Sequence, residues 1–505
     1  MLSYEVTAVT PTINQANYAA LHNSVSPNIG ESAPTLHGNM GVSSLTLSVL
    51  AFSAPIAVVT GFLPLTISFG GRGTPVAYFL GILMVLVFAI GYMAMTRNMP
   101  KPGSFYVFIS NGLGNIMGLG AAYLATFSYL LLLCGSYIFL GVCANELYTS
   151  LTGMESPWWV WTALVWGIVT TFGFLHIEFS AKALSIAMVG EVLIIMIFNA
   201  AVLFKNGFST MPIDPLMPQT LVAGNIPVAV LFVILVFIGF EATALYREEV
   251  KSPEKTIPRA TYTSVLAIGL FYGFTCYMMI AAYGDSAVDI ATKEPSIMFS
   301  NAIHAYLGQT FTQIKNCFVV FSLIAALISI HNVLTRYVLN MAVDGTLPKS
   351  LSKIHKQHRS PYRSSFAVSL VAAVFLIIAM VAPNVDPIVI YGLTGGLGAV
   401  GIIFLMALVS LAIVVWFLKL KRRRLENPWN KYIFPTLAAT SFMLTAVYSI
   451  KNFEIVAGGE KGENMIWLGS LAGVFALGVM LAIYFRLAKP QIYKSIGRSE
   501  TIFNE

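Results

Sequence analysis

The chain has 505 residues, of which 57% are hydrophobic and 10% are charged, and its formal net charge is +7. A water-soluble domain usually carries about 25% charged residues, so this composition excludes a soluble fold. Long apolar runs recur between residues 42 and 487. Because these runs do not alternate between apolar and polar residues, they exclude a β-barrel. The chain is therefore predicted to be a polytopic membrane protein.

The apolar runs predict an all-α fold with twelve transmembrane helices, since about 20 apolar residues cross the hydrocarbon core of a bilayer. A polar segment at 285–308 is predicted to form a helix outside the membrane. We number the predicted spans 1 to 12, at approximately residues 42–69, 75–97, 116–146, 158–177, 179–205, 225–249, 258–284, 311–340, 364–381, 386–418, 430–451 and 464–487.

Basic residues set the expected orientation. Most of the 29 Lys and Arg residues fall on one side of the membrane if the N-terminus is inside, as the positive-inside rule requires. We therefore expect a multi-pass protein of the plasma (inner) membrane, with a cytoplasmic N-terminal tail at 1–40 and a cytoplasmic C-terminal tail at 489–505. The polar N-terminal residues contain no signal-peptide pattern. The same basic clusters are loop charges and do not indicate nucleic-acid binding.

No feature of the sequence predicts an enzyme. No soluble domain interrupts the spans, and the motifs GxxxxGK[ST], HExxH and GxSxG are absent. The four cysteines have no metal-ligand spacing, so we expect neither a cofactor nor a resident metal. A secondary transporter is favoured. An ion channel and a transport-dead sensor stay as alternatives, although neither a filter-like repeat nor an added cytoplasmic domain is evident.

Span 1 contains a candidate helix break. The run at 53–61 reads SAPIAVVTG, in which proline removes a helical N–H and glycine adds backbone freedom. Secondary transporters bind substrate where helices are interrupted near the bilayer midplane, whereas the purely structural interpretation is a simple kink. The candidate substrate-binding residues of this break are Ala54, Pro55, Ile56, Thr60 and Gly61.

Span 6 contains a second candidate break, in the middle of an apolar run. An ionisable residue at that depth is costly unless it faces a partner or water, so it indicates a functional site. The candidate substrate-binding residues here are Phe237, Ile238, Gly239, Phe240 and Glu241.

The two breaks are five spans apart, which is the offset that a five-plus-five inverted repeat requires. An odd number of spans per repeat makes the two halves point in opposite directions. The predicted organisation is a first repeat, an external loop, a second repeat and two additional helices, at 41–205, 206–224, 225–418 and 419–488.

Three titratable residues are candidates for coupling to an ion gradient. Glu191 lies half-way along span 5, His331 lies in the inner half of span 8, and Glu241 lies in the second break. A carboxylate at Glu191 could exchange the coupling proton or attract a sodium ion with help from Ser329 or Asn332. The structural alternative is an acid hydrogen-bonded to a neighbouring helix, paired with His331.

Three spaced motifs resemble those of the amino acid–polyamine–organocation permeases. The first is GFEATALYREEVKSPEKTIPRA at 239–260, and the second is TRYVLNMAVDGTLP at 335–348, followed by Ser360-Pro361. The third is PKPGSFY at 100–106, which leads into span 3. In their order and with twelve spans, they extend the resemblance over about residues 41–490.

The resemblance implies a LeuT-type fold and a secondary active transporter that imports an amino acid or a small amine or polyamine, usually driven by protons. Exchange of one substrate for another is the alternative. The substrate would lie between the two breaks, against spans 3, 8 and 10. The implied partners are a small molecule and the lipid bilayer, and the protein could be a monomer or a homodimer.

The first break departs from the family pattern. Many members carry Gly-x-Gly there, which lets backbone amides approach a substrate carboxylate, whereas this chain carries Ala54-Pro55-Ile56-Ala57. In this respect the chain resembles the branches that import putrescine and other amines. Some proton-coupled members also place a lysine where this chain has Glu191.

A charge cluster follows span 6 and is expected to face the end of span 8. Ion pairs between the two groups could close an inner gate, whereas the alternative is a solvated loop. The candidate gate residues are Arg247, Glu248, Glu249, Arg336 and Asp344.

Overall fold

A computed structural model describes most of the chain. The described residues are 41–99, 104–175, 181–240, 243, 250–355, 360–381, 385–420, 426–457, 462 and 464–497. Their α-helices are α1 (Val42–Phe52), α2 (Pro55–Thr60), α3 (Phe62–Gly70), α4 (Thr74–Asn98), α5 (Phe105–Leu113), α6 (Asn115–Thr152), α7 (Trp158–Leu175), α8 (Ala181–Asn206), α9 (Pro218–Val222), α10 (Ile226–Leu235), α11 (Pro253–Tyr283), α12 (Ala287–Lys293), α13 (Met298–Leu307), α14 (Gln309–Val343), α15 (Tyr362–Val381), α16 (Pro387–Lys419), α17 (Phe434–Lys451), α18 (Phe453–Ala457), α19 (Met465–Ala488) and α20 (Pro490–Ser495).

The architecture is that of a helical, multi-pass membrane protein. Among the described residues, 10 helical stretches are long and apolar enough to cross a membrane. One of them, Pro55–Asn98, is 44 residues long and contains α2, α3 and α4. The helix α10 is apolar but shorter than these. The count of twelve spans and the inverted repeat stay predictions.

The structure differs from the predicted spans in several places. Span 1 consists of three helices, α1 to α3. In span 6, the regular helix α10 ends at Leu235. The segment predicted as one external helix at 285–308 contains two, α12 and α13. The short helices α5 and α20 were not predicted, because helices of nine and six residues cannot cross a bilayer and leave no long apolar run.

The bundle is packed around α6, which is 38 residues long and contacts α14, α16 and α19. Small residues let α6 and α19 approach closely. A Cβ added at Gly478 of α19 would lie 2.7 Å from the carbonyl oxygen of Leu119 and 2.8 Å from the Cα of Gly120. Such contacts between small residues gain van der Waals packing where lipid gives helices no hydrophobic reason to associate.

A buried lysine joins α14 to α6 and α13. The side chain of Lys315 is 0% exposed, and its ammonium lies 3.7 Å from Glu146 Oε1 and donates to Ser300 Oγ. Asn316 Nδ2 donates to the same Glu146 oxygen over 3.2 Å. Glu146 thus forms an ion pair near the end of span 3, because an ammonium buried this deeply needs an anion beside it.

The close packing of α19 on α6 predicts the effect of an added methyl group. Gly478→Ala places its Cβ against backbone atoms, which cannot rotate away, and is expected to lower the free energy of unfolding by about 1–3 kcal/mol. Gly473→Ala lies in the same helix, where an added Cβ meets nothing within 4 Å, and is expected to be neutral. Thermal unfolding in detergent checks both variants. Equal melting temperatures of the two variants would contradict the close contact between Gly478 and α6.

Candidate functional site

The first break lies between α1 and α2. Ser53 and Ala54 link the two helices, and Ala54 adopts φ 46° and ψ 69°, a left-handed conformation that costs a non-glycine residue about 1–2 kcal/mol. Pro55 then occupies the first position of α2, where its missing N–H removes no hydrogen bond. The proline thus starts a new helix and prevents α1 from continuing into it.

The second break follows α10. Residues 236–239 form a turn, in which Phe237 N–H donates to the Ile234 carbonyl over 3.1 Å and Ile238 N–H to the Leu235 carbonyl over 3.1 Å. Gly239 has φ 108°, a conformation that glycine adopts at little cost because it lacks a Cβ. Glu241 lies outside the described residues, so its predicted part in this break stays a prediction.

A cavity of about 100 Å³ separates the two breaks. The first break contributes Ser53 and Ala54 to its wall, and the second contributes Leu235, Val236 and Ile238. The rest of the wall comes from α2, α3, α6, α14 and α16. Since a cavity needs roughly 10–15 Å³ to hold one water, the space holds several waters or a small solute.

The wall of the cavity is apolar and aromatic. Phe62, Tyr129 and Tyr391 contribute rings to it. The Tyr391 ring stacks on Phe139 at 4.5 Å between centroids and lies 5.0 Å from the Phe62 ring. The polar side chains of the wall are hydroxyls, and none of the described residues that line it is charged. The cavity therefore suits a small molecule with an apolar body.

Glu191 lies behind the first break and is 3% exposed. Its Oε2 accepts a hydrogen bond from the Ile56 N–H over 3.2 Å and another from Ser322 Oγ over 3.0 Å. A single carboxylate oxygen of Glu191, on α8, thus accepts hydrogen bonds from both the first turn of α2 and the middle of α14. Glu191 does not line the cavity.

His331 lies elsewhere on α14. It is 1% exposed, and its Nε2 lies 2.9 Å from Ser365 Oγ of α15. His331 is nine residues beyond Ser322, or about 13 Å along a helix, so it does not share the Ser322 contact with Glu191. Ser329, expected to assist Glu191, donates instead to the Ala325 carbonyl of its own helix over 3.0 Å. The position of Ser322, two helical turns before Ser329, could be found only once the register of α14 against α8 was known.

The other predicted site residues of the two breaks hold the helices in place. Thr60 Oγ1 donates to the Ile56 carbonyl over 2.7 Å within α2. Phe237 is 0% exposed and packs beside α4 and α11, near the positions where Gly81 and Gly269 lack a Cβ. Phe240 lies edge-on to Phe88, with ring centroids 6.0 Å apart. Ala54 and Ile238 line the cavity, whereas Thr60, Phe237 and Phe240 do not.

The predicted gate residues are only partly described. Arg247, Glu248 and Glu249 lie outside the described residues, and Arg336 is exposed on α14. Asp344 is 4% exposed, and its Oδ2 accepts from Tyr106 OH over 3.4 Å and from the Gly497 N–H over 3.1 Å. Asp344 therefore joins the end of α14 to α5 and to the C-terminal segment. The inner gate itself stays a prediction.

Comparison with known proteins identifies the family. The sequence model described as amino acid permease matches residues 45–494. The chain belongs to this family. The expected resemblance to the amino acid–polyamine–organocation permeases is thereby confirmed, and the protein is an integral, multi-pass membrane protein.

The relatives are transporters, in agreement with the expectation that the chain is not an enzyme. The branched-chain amino acid permease BcaP of Bacillus subtilis is 23% identical over 358 residues, which are 67% of this chain and 74% of the relative. The low-affinity putrescine importer PlaP of Escherichia coli is 22% identical over 373 residues, 71% of this chain and 77% of the relative. The aromatic amino acid transport protein AroP of Escherichia coli is 24% identical over 367 residues, 70% and 75% of the two chains.

Gly61 provides a test of the cavity wall. A Cβ added there would lie 2.7 Å from Tyr391 OH and 2.8 Å from the Phe139 ring, so Gly61→Ala is expected to push Tyr391 into the cavity and weaken substrate binding by about tenfold. Gly392→Ala is the matched control, because an added Cβ beside Tyr391 meets nothing within 4 Å. Ligand titration by thermal shift measures both. Unchanged binding in Gly61→Ala would show that the substrate does not bind in this cavity.

Proposed function

We propose that the protein is a secondary active transporter that imports an amino acid or a small amine or polyamine, driven by protons. The observation that carries this proposal is the cavity whose wall contains both helix breaks. Broken helices place backbone groups inside the membrane where they can bind a polar substrate. The family membership and the three relatives support the substrate class.

The fold we propose for this function has twelve spans and two inverted repeats of five, as in the LeuT-type transporters. The stretch Pro55–Asn98 has 44 residues, which is about 66 Å of helix and twice the thickness of the hydrocarbon core. It is interrupted at Gly71, where φ is 67°, which supports its division between the proposed first and second spans. The ten residues of α10 reach about half-way across, so that the sixth span requires the chain beyond the break.

The proposed location is the plasma (inner) membrane, with both termini cytoplasmic. The distribution of the 29 Lys and Arg residues supports it, because basic loops are retained on the cytoplasmic side. The substrate would reach the cavity alternately from either side as one repeat moves against the other. Monomer and homodimer are both compatible with this function.

Glu191 is the proposed coupling residue. Its carboxylate receives hydrogen bonds from α2 and α14, and such bonds are stronger when the acceptor is charged. Gain of a proton therefore weakens the link between the first break and α14. This link gives the proton a direct effect on the wall of the cavity. A sodium ion at Glu191 is the other coupling hypothesis, and His331 is now a less direct candidate because of its bond to Ser365.

Uptake driven by single gradients tests the coupling. In proteoliposomes, we expect uptake with an imposed proton gradient and none with a sodium gradient. Glu191→Gln keeps the shape of the side chain and is expected to lower proton-driven uptake at least about tenfold, or ~1.4 kcal/mol in the barrier. Glu191 would have no coupling role if the variant transported normally under both gradients.

A control variant comes from the same helix. Asn199→Leu removes a buried hydrogen bond of 3.0 Å to Thr275 without changing any charge, and its uptake should depend on the proton gradient as in the wild type. An exchanger would give a different result: uptake would require substrate inside the proteoliposomes and would not require a proton or a sodium gradient. Strict exchange of that kind would replace the proposed import mechanism.

Glu241 is the second proposed acidic group, on the basis of its position in the sequence directly after Phe240. Glu241→Gln removes its charge at nearly constant volume and is expected to abolish the dependence of uptake on external pH, or uptake of cationic substrates. The pH profile of uptake in proteoliposomes measures this effect. Wild-type uptake with an unchanged profile would make Glu241 a structural residue only.

A further inference from the structure

The first turn of α2 has no N–H group left for a ligand. Helices normally offer four unpaired N–H groups at their N-termini, and these attract anions. In α2 the first residue is Pro55, which has no N–H. The Ile56 N–H donates to Glu191 Oε2 over 3.2 Å, and the N–H groups of Ala57 and Val58 both donate to the Ala54 carbonyl over 3.1 Å. The protein's own carboxylate and carbonyl thus occupy the N–H groups of this turn, which a substrate carboxylate would otherwise use.

The rest of the cavity offers an anion little in return. Its described lining residues include no lysine and no arginine. Ser53, the hydroxyl nearest to the break in the sequence, already donates to the Leu50 carbonyl over 2.8 Å and lies 3.2 Å from Tyr272 OH. A carboxylate placed here would lose its hydration without gaining a charged partner, which is strongly unfavourable.

The same cavity favours a cation. The helices α1 and α10 both end at the breaks, so their C-terminal ends, which carry partial negative charge, lie at the cavity wall. Glu191, which does not line the cavity, offsets the partial positive charge at the N-terminal end of α2. The rings of Phe62, Tyr129 and Tyr391 line the space, and aromatic faces attract ammonium groups.

We infer that the substrate is a small organic amine that lacks the α-carboxylate, and that Glu191 excludes amino acids by occupying the Ile56 N–H. This inference rests on the proposed transport function and specifies its substrate. Selectivity would then depend on two features of this chain, the proline at the start of α2 and the acid that binds the next N–H.

Pairs of ligands that differ only by the carboxylate test the inference. The full-length protein in detergent is titrated by thermal shift with putrescine and ornithine, cadaverine and lysine, and 3-methylbutylamine and leucine, since ligands stabilise the state that binds them. In at least one pair, the amine is expected to bind about tenfold or more tightly than its amino acid. Amino acids that bind as well as their amines, or better, would overturn the inference and leave the transport function intact. If no member of any pair binds or is taken up into proteoliposomes, the proposed function itself fails.

Two variants distinguish the effect of occupying the Ile56 N–H from the effect of the Glu191 charge. Glu191→Ala frees the Ile56 N–H and is expected to reduce the preference for the amine about tenfold. In Glu191→Gln the amide oxygen still accepts from Ile56, so the preference is expected to persist. A folded Glu191→Ala protein with unchanged preference, or an equal loss in Glu191→Gln, would overturn the inference. If Glu191→Ala does not fold, Pro55→Ala supplies an N–H one residue earlier and should shift the preference in the same direction, and a folded Pro55→Ala protein with unchanged preference would overturn the inference.

Discussion

The constraint on which the structure depends is that backbone polar groups inside a bilayer need partners within the protein. A continuous helix satisfies them internally, whereas a broken helix does not. At the first break, the chain supplies these partners from two sources. The Ala54 carbonyl accepts from the start of α2, and the Glu191 carboxylate of α8 accepts the remaining N–H. A residue far away in the sequence thus accepts one of the hydrogen bonds at the break.

This arrangement explains why the helices around the cavity form one unit. Ala54 keeps a left-handed conformation that the chain would leave if α2 were not held by other elements. The bond of Ser322 to the same carboxylate oxygen fixes α14 against α2. The stacked rings of Phe139 and Tyr391 join α6 to α16. The cavity is therefore a consequence of how the two breaks are supported.

The sequence predicted those features that depend on local chemistry. Pro55 marks the first break because it lacks an N–H, an effect that can be recognised without a fold. The second break was predicted from the ionisable Glu241 in an apolar run, and the positive φ of Gly239 there became visible only in the structure. Apolar length likewise predicted a helical membrane protein. The sequence did not predict Ser322 as the partner of Glu191, because that contact depends on the register of two helices more than a hundred residues apart. It also missed α5, since a nine-residue helix leaves no long apolar run.

The end of α14 that carries Asp344 is tied down in a similar way. Its carboxylate accepts from Tyr106 and from the Gly497 N–H, and its carbonyl accepts from Ser495 Oγ over 2.7 Å. The C-terminal segment is thus a packed part of the structure, and Ile496 is only 2% exposed. Because these bonds end on one residue, any displacement of this end of α14 has to carry α5 and the C-terminal segment with it or break several buried hydrogen bonds at once. Displacement of this end of α14 therefore requires a collective movement of three elements, whereas rotation of a single side chain would not be enough.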